Sequence, residues 1–312
     1  MIRAVAKGAG LFAFGRAPGG AHAYRALTRG RLGTAASHVD KLARVWPGYV
    51  RVWRAHGVAL EGAQIWAHDA GATPFMPIAA YLLTGRGAVT TNAHDRFLDR
   101  YLAYARAGAL DAAWPDGAIP DERRRAIEGL RWIDRTDDAL ARIATQIHDA
   151  PTTIATHAID LCHSGGALEH ETPAALDAFL RELRRALKPG AVASHVYDHR
   201  DHLHHADNRL PFLAHLAWPE LAYRALFAHP LGFHARLSPT EVAARFEAAG
   251  FTRLAVRRLI YDAETGERRW VDRDDDAHAG RPGVPRALLA RRFRAISDAD
   301  LRTAAAHYLY RA

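Results

Sequence analysis

Residues 158–195, AIDLCHSGGALEHETPAALDAFLRELRRALKPGAVASH, constrain the fold more tightly than any other stretch of this chain. An apolar strand over Ala158–Cys162 runs into a turn of small residues, His163-Ser164-Gly165-Gly166. Leu168-Glu169-His170 follows, then an amphipathic helix, a Lys188-Pro189-Gly190 stop and a second apolar strand. A Gly just past a helix end lets the chain reverse. Strand, turn, helix and strand in that order are one repeat of an open α/β sheet. Ligands of such sheets sit beyond the C-terminal ends of the strands. The His-Ser-Gly-Gly turn and the Leu-Glu-His segment therefore stand where chemistry is expected.

The rest of the chain supplies the other strands and helices. Residues 63–70 (AQIWAHDA) read as a first strand and Pro74–Thr84 as its helix, opened by a proline. Ala88–Ala93 is a β-branched second strand, and Asp95–Ala107 the next helix. Helices are expected over Asp121–Trp132 and Asp137–Thr145, and a third strand near Thr145–His148. A fifth strand spans Ala191–Tyr197. Ser238–Gly250 is a helix with Ser238 as N-cap, Glu241 completing a capping box and Gly250 ending it. Late strands fall at Phe251–Tyr261 and near Glu267–Val271, and one or two helices from Pro285 onward. Upstream, Leu42, Val45, Trp46, Val50 and Trp53 recur at spacings of three and four, one face of a helix. Residues 1–60 read as a helical cap over the mouth of a ligand site, and 61–312 as the main domain, with a substrate-side insertion at 199–238.

Composition narrows the class. Hydrophobic residues make up 49% of the 312, ample for a buried core. The lone cysteine, Cys162, excludes an internal disulfide and reads as a small core residue of its strand. No apolar run approaches the ~20 residues needed to span a bilayer. The basic N-terminus lacks the pattern of a signal peptide, and a cytoplasmic enzyme is the simplest expectation. The net charge of +8 is spread as arginine pairs on helix faces, without a basic stripe interleaved with aromatics. That pattern speaks for solvated helix surfaces rather than a nucleic-acid site.

The joined motif Leu168-Glu169-His170 and Leu187-Lys188-Pro189-Gly190 resembles the corresponding region of S-adenosylmethionine-dependent methyltransferases of the Rossmann-like class. Ordered motifs extend the resemblance over roughly residues 60–255. It implies an α/β fold, a mostly parallel seven-stranded sheet flanked by helices, with S-adenosylmethionine as cofactor. It also implies cofactor contacts. After the first strand, Asp69 and Gly71 match the family's acidic-x-Gly-x-Gly turn, and Thr73 stands where the second Gly is expected. At the end of the second strand, Asn92 takes the place of the acid that holds the ribose; an amide bonds a hydroxyl more weakly than a carboxylate. Asp149 and Ala150 resemble the family's adenine-binding pair, and His163 and Ser164 end the fourth strand beside the transferable methyl.

On the acceptor side stands Ser194–Asp207, SHVYDHRDHLHHAD. Its Asp-x-Arg-Asp-His core resembles a segment that borders the substrate pocket in a subset of bacterial methyltransferases, implicating Asp198, Asp201 and His202. His170 and His202 are the candidate bases, since a neutral imidazole takes a proton from a nucleophile. Glu169-His170 reads equally as a structural pair at a helix start. The histidines lack tetrahedral spacing, and no metal is expected. The expected reaction is methyl transfer to a small polar molecule. The alternatives are cofactor consumption without methyl transfer (cyclisation, or transfer of the aminocarboxypropyl arm with release of methylthioadenosine), a catalytically silent relative, or a nucleic-acid modifier.

Overall fold

The computed structural model describes residues 2–20, 23, 35–68, 75–91, 119–130, 133, 138, 141–148, 150–205, 207–227, 229, 233–272 and 275–312. The expected cofactor contacts Asp69, Gly71, Thr73, Asn92 and Asp149 lie outside the described residues, as does the helix expected at Asp95–Ala107.

Among the described residues eight strands form one sheet: β1 (Ile65–His68), β2 (Val89–Thr91), β3 (Gln146–His148), β4 (Ile159–Gly165), β5 (Leu187–Asp198), β6 (Thr252–Tyr261), β7 (Arg268–Val271) and β8 (Thr303–Arg311). Their order is β3-β2-β1-β4-β5-β8-β6-β7. The β1–β2, β1–β4 and β2–β3 pairs are parallel, and β6–β7 is antiparallel. The sheet is thus mostly, not wholly, parallel. The seven strands read in the sequence are all present, with β7 at the edge hairpinned to β6, and β8 is an eighth, between β5 and β6.

The helices are α1 (Ile2–Arg16), α2 (Ala35–Ala55), α3 (Phe75–Thr84), α4 (Asp121–Gly129), α5 (Pro173–Ala186), α6 (Glu220–Phe227), α7 (Pro239–Ala248) and α8 (Asp298–Arg302). The capping box of α7 is formed as read: the Glu241 N–H donates to Ser238 Oγ at 3.2 Å, and the Ser238 N–H donates to Glu241 Oε2 at 2.7 Å. Gly166, at φ +82°, turns the chain as it leaves β4, a conformation only glycine adopts without strain.

Two expectations are corrected. The run expected to be helical at the end is a strand, β8, buried from Thr303 to Tyr310. Ala304-Ala305-Ala306 favours helix, but a short apolar run buried on both faces carries no period that separates strand from helix. The Lys188-Pro189-Gly190 stop belongs to β5 rather than to a turn before it. The Gly190 N–H donates to the Ala312 carbonyl and the Ala312 N–H to the Ala191 carbonyl, so pairing starts at the stop itself.

The chain divides into two compact units. One comprises Gly30–Ser164, Arg181–Ser194 and Arg311–Ala312. Its core holds Trp46, Trp53, Ile65, Trp66, Ile78 and Leu161. Asp160, on β4, accepts the Gln64 N–H and pairs with Lys188 at 2.7 Å. The other unit comprises Met1–Arg29, Gly165–Leu180 and His195–Tyr310. There Phe246 stacks on Tyr310 and Tyr308 at centroid distances of 4.7 and 5.9 Å, and Phe212, Leu216, Val284, Leu289 and Phe293 form a second cluster.

Candidate functional site

In the first unit, the end of β4 carries His163 into an aromatic nest made by α2. The His163 ring lies 4.7 Å from Tyr49, 5.1 Å from Trp53 and 6.2 Å from Trp46, centroid to centroid. Trp46 and Trp53 belong to the apolar helix face read in the sequence and Tyr49 does not; His163 among them is 1% exposed. Its Nδ1 sits 2.9 Å from the Ser194 carbonyl. A carbonyl only accepts, so Nδ1 bears the proton and Nε2 is the lone-pair nitrogen. Burial pushes the imidazole down to about 4, the Ser194 carbonyl opposing in part. The Trp53 indole N–H donates to Ser194 Oγ at 2.7 Å, fastening α2 to the end segment of β5 within this unit. Ser194→Ala removes that acceptor from a buried indole, and should lower stability by about 1–3 kcal/mol. Urea unfolding checks this, and an unchanged midpoint would mean the helix is held by ring packing alone.

The parallel register aligns the ends of the first three strands. His68 stands opposite Thr91, and Thr91 opposite His148. Asp69, Asn92 and Asp149 are each the residue that follows these three positions in sequence. The register sets the ends of these three adjacent strands level, the side of such a sheet on which ligands bind. His68 itself is buried, pushed down to about 3 by burial, with Nδ1 at 3.1 Å from Thr91 Oγ1. Ala150 is an extended residue opening a short 3-10 turn, and its carbonyl accepts from the Thr153 N–H and hydroxyl. His163 and Ser164, both expected as contacts, are buried.

In the second unit, histidines converge around a small cavity. Leu11, Asp201, His202, Leu203, His215, Tyr223, Phe227 and His234 line it, and its free space is about 20 Å³, the size of a single water. His202 and Asp201, two expected acceptor-side residues, share this wall. His170, from the 3-10 turn after β4, lies 4.8 Å from the His202 ring. The His170 Nδ1 donates to the Phe233 carbonyl at 3.2 Å, which leaves Nε2 as the proton acceptor. His202 is pushed down to about 2 by burial and by His234, His170 and His205, with Asp198 opposing.

Asp198 stands behind the wall. Arg200 grips it with Nε at 2.8 Å and Nη2 at 2.6 Å, and His205 adds a contact at 3.3 Å. Burial acts to raise the Asp198 pKa, but Arg200 and His205 outweigh it and hold the carboxyl well below its usual range. Its backbone carbonyl accepts the His234 Nε2–H at 2.8 Å, while His234 Nδ1 accepts the Arg236 N–H. Both His234 nitrogens are thus used, and this ring frames the site without exchanging protons. Asp201 accepts the Leu203 N–H at 2.8 Å, a turn that fixes the direction of the loop.

Sequence reasoning missed His215, Tyr223 and His234 as lining residues. All three lie in the 199–238 insertion, and irregular spacing gave no signal beyond their residue type. His215 is 4.8 Å from His234, and its buried Nδ1 has no hydrogen-bond partner. Among the described residues no group of three or more His, Cys, Asp or Glu is arranged to hold a metal ion.

Strand order and strand-end register define a Rossmann-like α/β fold with a mostly parallel sheet. No protein-family model matches the chain, and no curated protein matches it. Solved structures do. An S-adenosylmethionine-dependent methyltransferase from Mesorhizobium loti is 15% identical, the match covering 84% of this chain and 96% of that one, with a TM-score of 0.42. Another from Archaeoglobus fulgidus is 8% identical over 86% and 94% of the two chains, with a TM-score of 0.42. Phosphoethanolamine N-methyltransferase 2 from Haemonchus contortus, in complex with S-adenosyl-L-methionine, is 12% identical over 85% of this chain and 52% of that one, with a TM-score of 0.43. At these identities no activity is carried from them to this chain.

Proposed function

We propose that the protein transfers a methyl group from S-adenosylmethionine to a small polar acceptor. The observation that carries this reading is the His170–His202 pair, 4.8 Å apart, on segments that follow two adjacent strands of the sheet. Asp69, Gly71, Thr73, Asn92, Asp149 and Ala150, with His163 and Ser164 at the end of β4, are the residues we assign to the cofactor side. The level ends of β1, β2 and β3 support that assignment. When bound, the cofactor supplies an activated methyl, so the protein has mainly to position the acceptor and take its proton.

His170 takes that proton at Nε2, with the Phe233 carbonyl holding its ring as an orienting group holds a catalytic base. His202, kept neutral by its neighbours, offers a hydrogen bond to the acceptor without charge. Asp201 orients the acceptor from the same wall. Asp198 acts at one remove, through Arg200 and His234. Residues 1–60 form the cap in this reading, and 199–238 the acceptor-side insertion.

Calorimetric titration with S-adenosylmethionine and its demethylated product tests the cofactor. Heat is expected with both, and none with either rejects the proposal. Incubation with a metabolite extract, followed by mass spectrometry, tests the reaction. S-adenosylhomocysteine is expected; methylthioadenosine would point to chemistry on the aminocarboxypropyl arm instead. With an acceptor in hand, His170→Ala is expected to lower turnover about a hundredfold or more while cofactor affinity stays within twofold. Normal turnover in a folded variant would remove His170 from the mechanism.

A further inference from the structure

A second feature of the unit that contains α6 lies outside the histidine cavity. The 217–220 segment and the 287–294 segment border an open depression of about 960 Å³, with Ala217, Ala287, Ala290 and Phe293 among its apolar lining. Large apolar side chains stand in water around it. Leu288 is 59% exposed and Trp218 38%; Leu221, next in sequence to the lining residue Glu220, is 84% exposed. Exposed leucines occurring singly need no explanation, but a leucine-and-tryptophan group beside a depression marks an interaction site.

Charge completes the picture. In segments 217–227 and 286–298, five exposed arginines (Arg224, Arg286, Arg291, Arg292 and Arg294), with the buried Arg236 beneath them, stand against two carboxylates, Glu220 and Asp298. Glu220 already serves Arg224, Arg236 and Arg292, and Asp298 pairs with Arg286 and Arg302. One carboxylate shared by three guanidiniums leaves the patch strongly positive. Guanidinium groups match phosphate oxygens bidentately, tryptophan sits at the level of lipid headgroups, and leucine side chains enter the acyl boundary.

We propose that this patch docks the protein on an anionic lipid surface, the five exposed arginines meeting headgroup phosphates and Leu221, Leu288 and Trp218 entering the interface. An acidic peptide lying in the depression would meet the arginines and Leu288 but not account for Leu221, exposed at 84% outside the lining. A lipid surface takes protruding apolar side chains and arginines together without needing a groove. Among the described residues no helix is long and apolar enough to cross a membrane, so the contact is one of docking, not spanning.

Sedimentation with vesicles of phosphatidylcholine, alone or with a quarter phosphatidylglycerol, tests this with the full chain. Binding to the anionic vesicles is expected to exceed binding to the neutral ones by about tenfold or more, and to fall steeply in high salt. Leu221→Ser with Leu288→Ser should weaken it about fivefold or more through lost insertion alone. Arg291→Glu with Arg294→Glu should weaken it further, while Arg181→Glu with Arg184→Glu, a charge-matched change on α5, should shift it less than about twofold. All three variants alter exposed or partly exposed side chains, and their melting temperatures verify folding. Absence of wild-type binding, or equal loss in the α5 control, overturns the proposal. So does a wild-type dimer that the leucine variant dissociates, or displacement of vesicles by a leucine-containing polyglutamate peptide at a lower concentration than by free anionic lipid.

Discussion

Lowering the pH from 7.5 to about 5 is expected to unfold this protein, through its buried histidines rather than its carboxylates. His68, His163, His199 and His234 are each buried, and burial pushes them down to about 3, 4, 3 and 4. For His199 the neighbouring His234 adds to burial; for His163, His199 and His234 a hydrogen bond to a backbone carbonyl opposes it. Each ring is neutral in the fold and protonates at its ordinary value near 6.5 once unfolded. The unfolded chain then binds the extra protons, so stability is complete above about pH 6.5 and falls as pH drops toward 4. One such group costs about 1.4 kcal/mol per pH unit in that window. Four acting together remove on the order of 5 kcal/mol per unit, comparable with the whole stability of an ordinary domain. Urea unfolding at a series of pH values gives the number of protons taken up. An uptake below about two between pH 6 and 5 would show that these rings are not held neutral together.

Asp300→Ala is expected to be among the most destabilising single changes, costing about 3–5 kcal/mol. Asp300 and Arg258 are buried to 2% and 4% exposure, with Arg258 Nη1 at 2.8 Å from Asp300 Oδ1 and at 3.1 Å from Thr303 Oγ1. The other Asp300 oxygen accepts the Thr240 N–H at the first turn of α7. Truncation takes the Asp300 carboxylate away from a guanidinium inside the protein and removes the acceptor of a backbone donor. Replacing both partners, Arg258→Met with Asp300→Leu, should cost clearly less than Asp300→Ala alone, because no charge is then left buried. Equal losses in the single and double variants would mean that packing, not desolvated charge, sets the penalty.

Much of the architecture was legible in the sequence because local signals agreed with tertiary demands. Ser238, Glu241 and Gly250 bound α7 by chemistry internal to the segment, so no distant contact could override them. The strands β1, β2, β4 and β6 are apolar or β-branched runs with clear punctuation. β8 was misread because three consecutive alanines favour helix, and only its place between β5 and β6 makes it a strand. The residues around the histidine cavity were only partly legible. His170 and His202 follow strand ends, where position alone nominates them. His215 and His234 come from an insertion whose path no period announces, and they meet His202 only through tertiary packing. The Trp46–Trp53 stripe was visible as a helix face, but nothing in the spacing said that it would close around His163.

The place of β8 sets the order in which this chain can be completed during synthesis. β8 is made after every other strand, yet it belongs in the interior of the sheet, with β5 on one side and β6 on the other. Until residues 303–311 leave the ribosome, β5 and the β6–β7 hairpin have no common neighbour, and each presents an open edge. Such edges recruit other chains, and long-range pairings that wait for a late segment fold slowly. The nascent protein therefore spends its elongation with the middle of its sheet unclosed, and its dependence on chaperones should rise with translation pauses between β6 and β8.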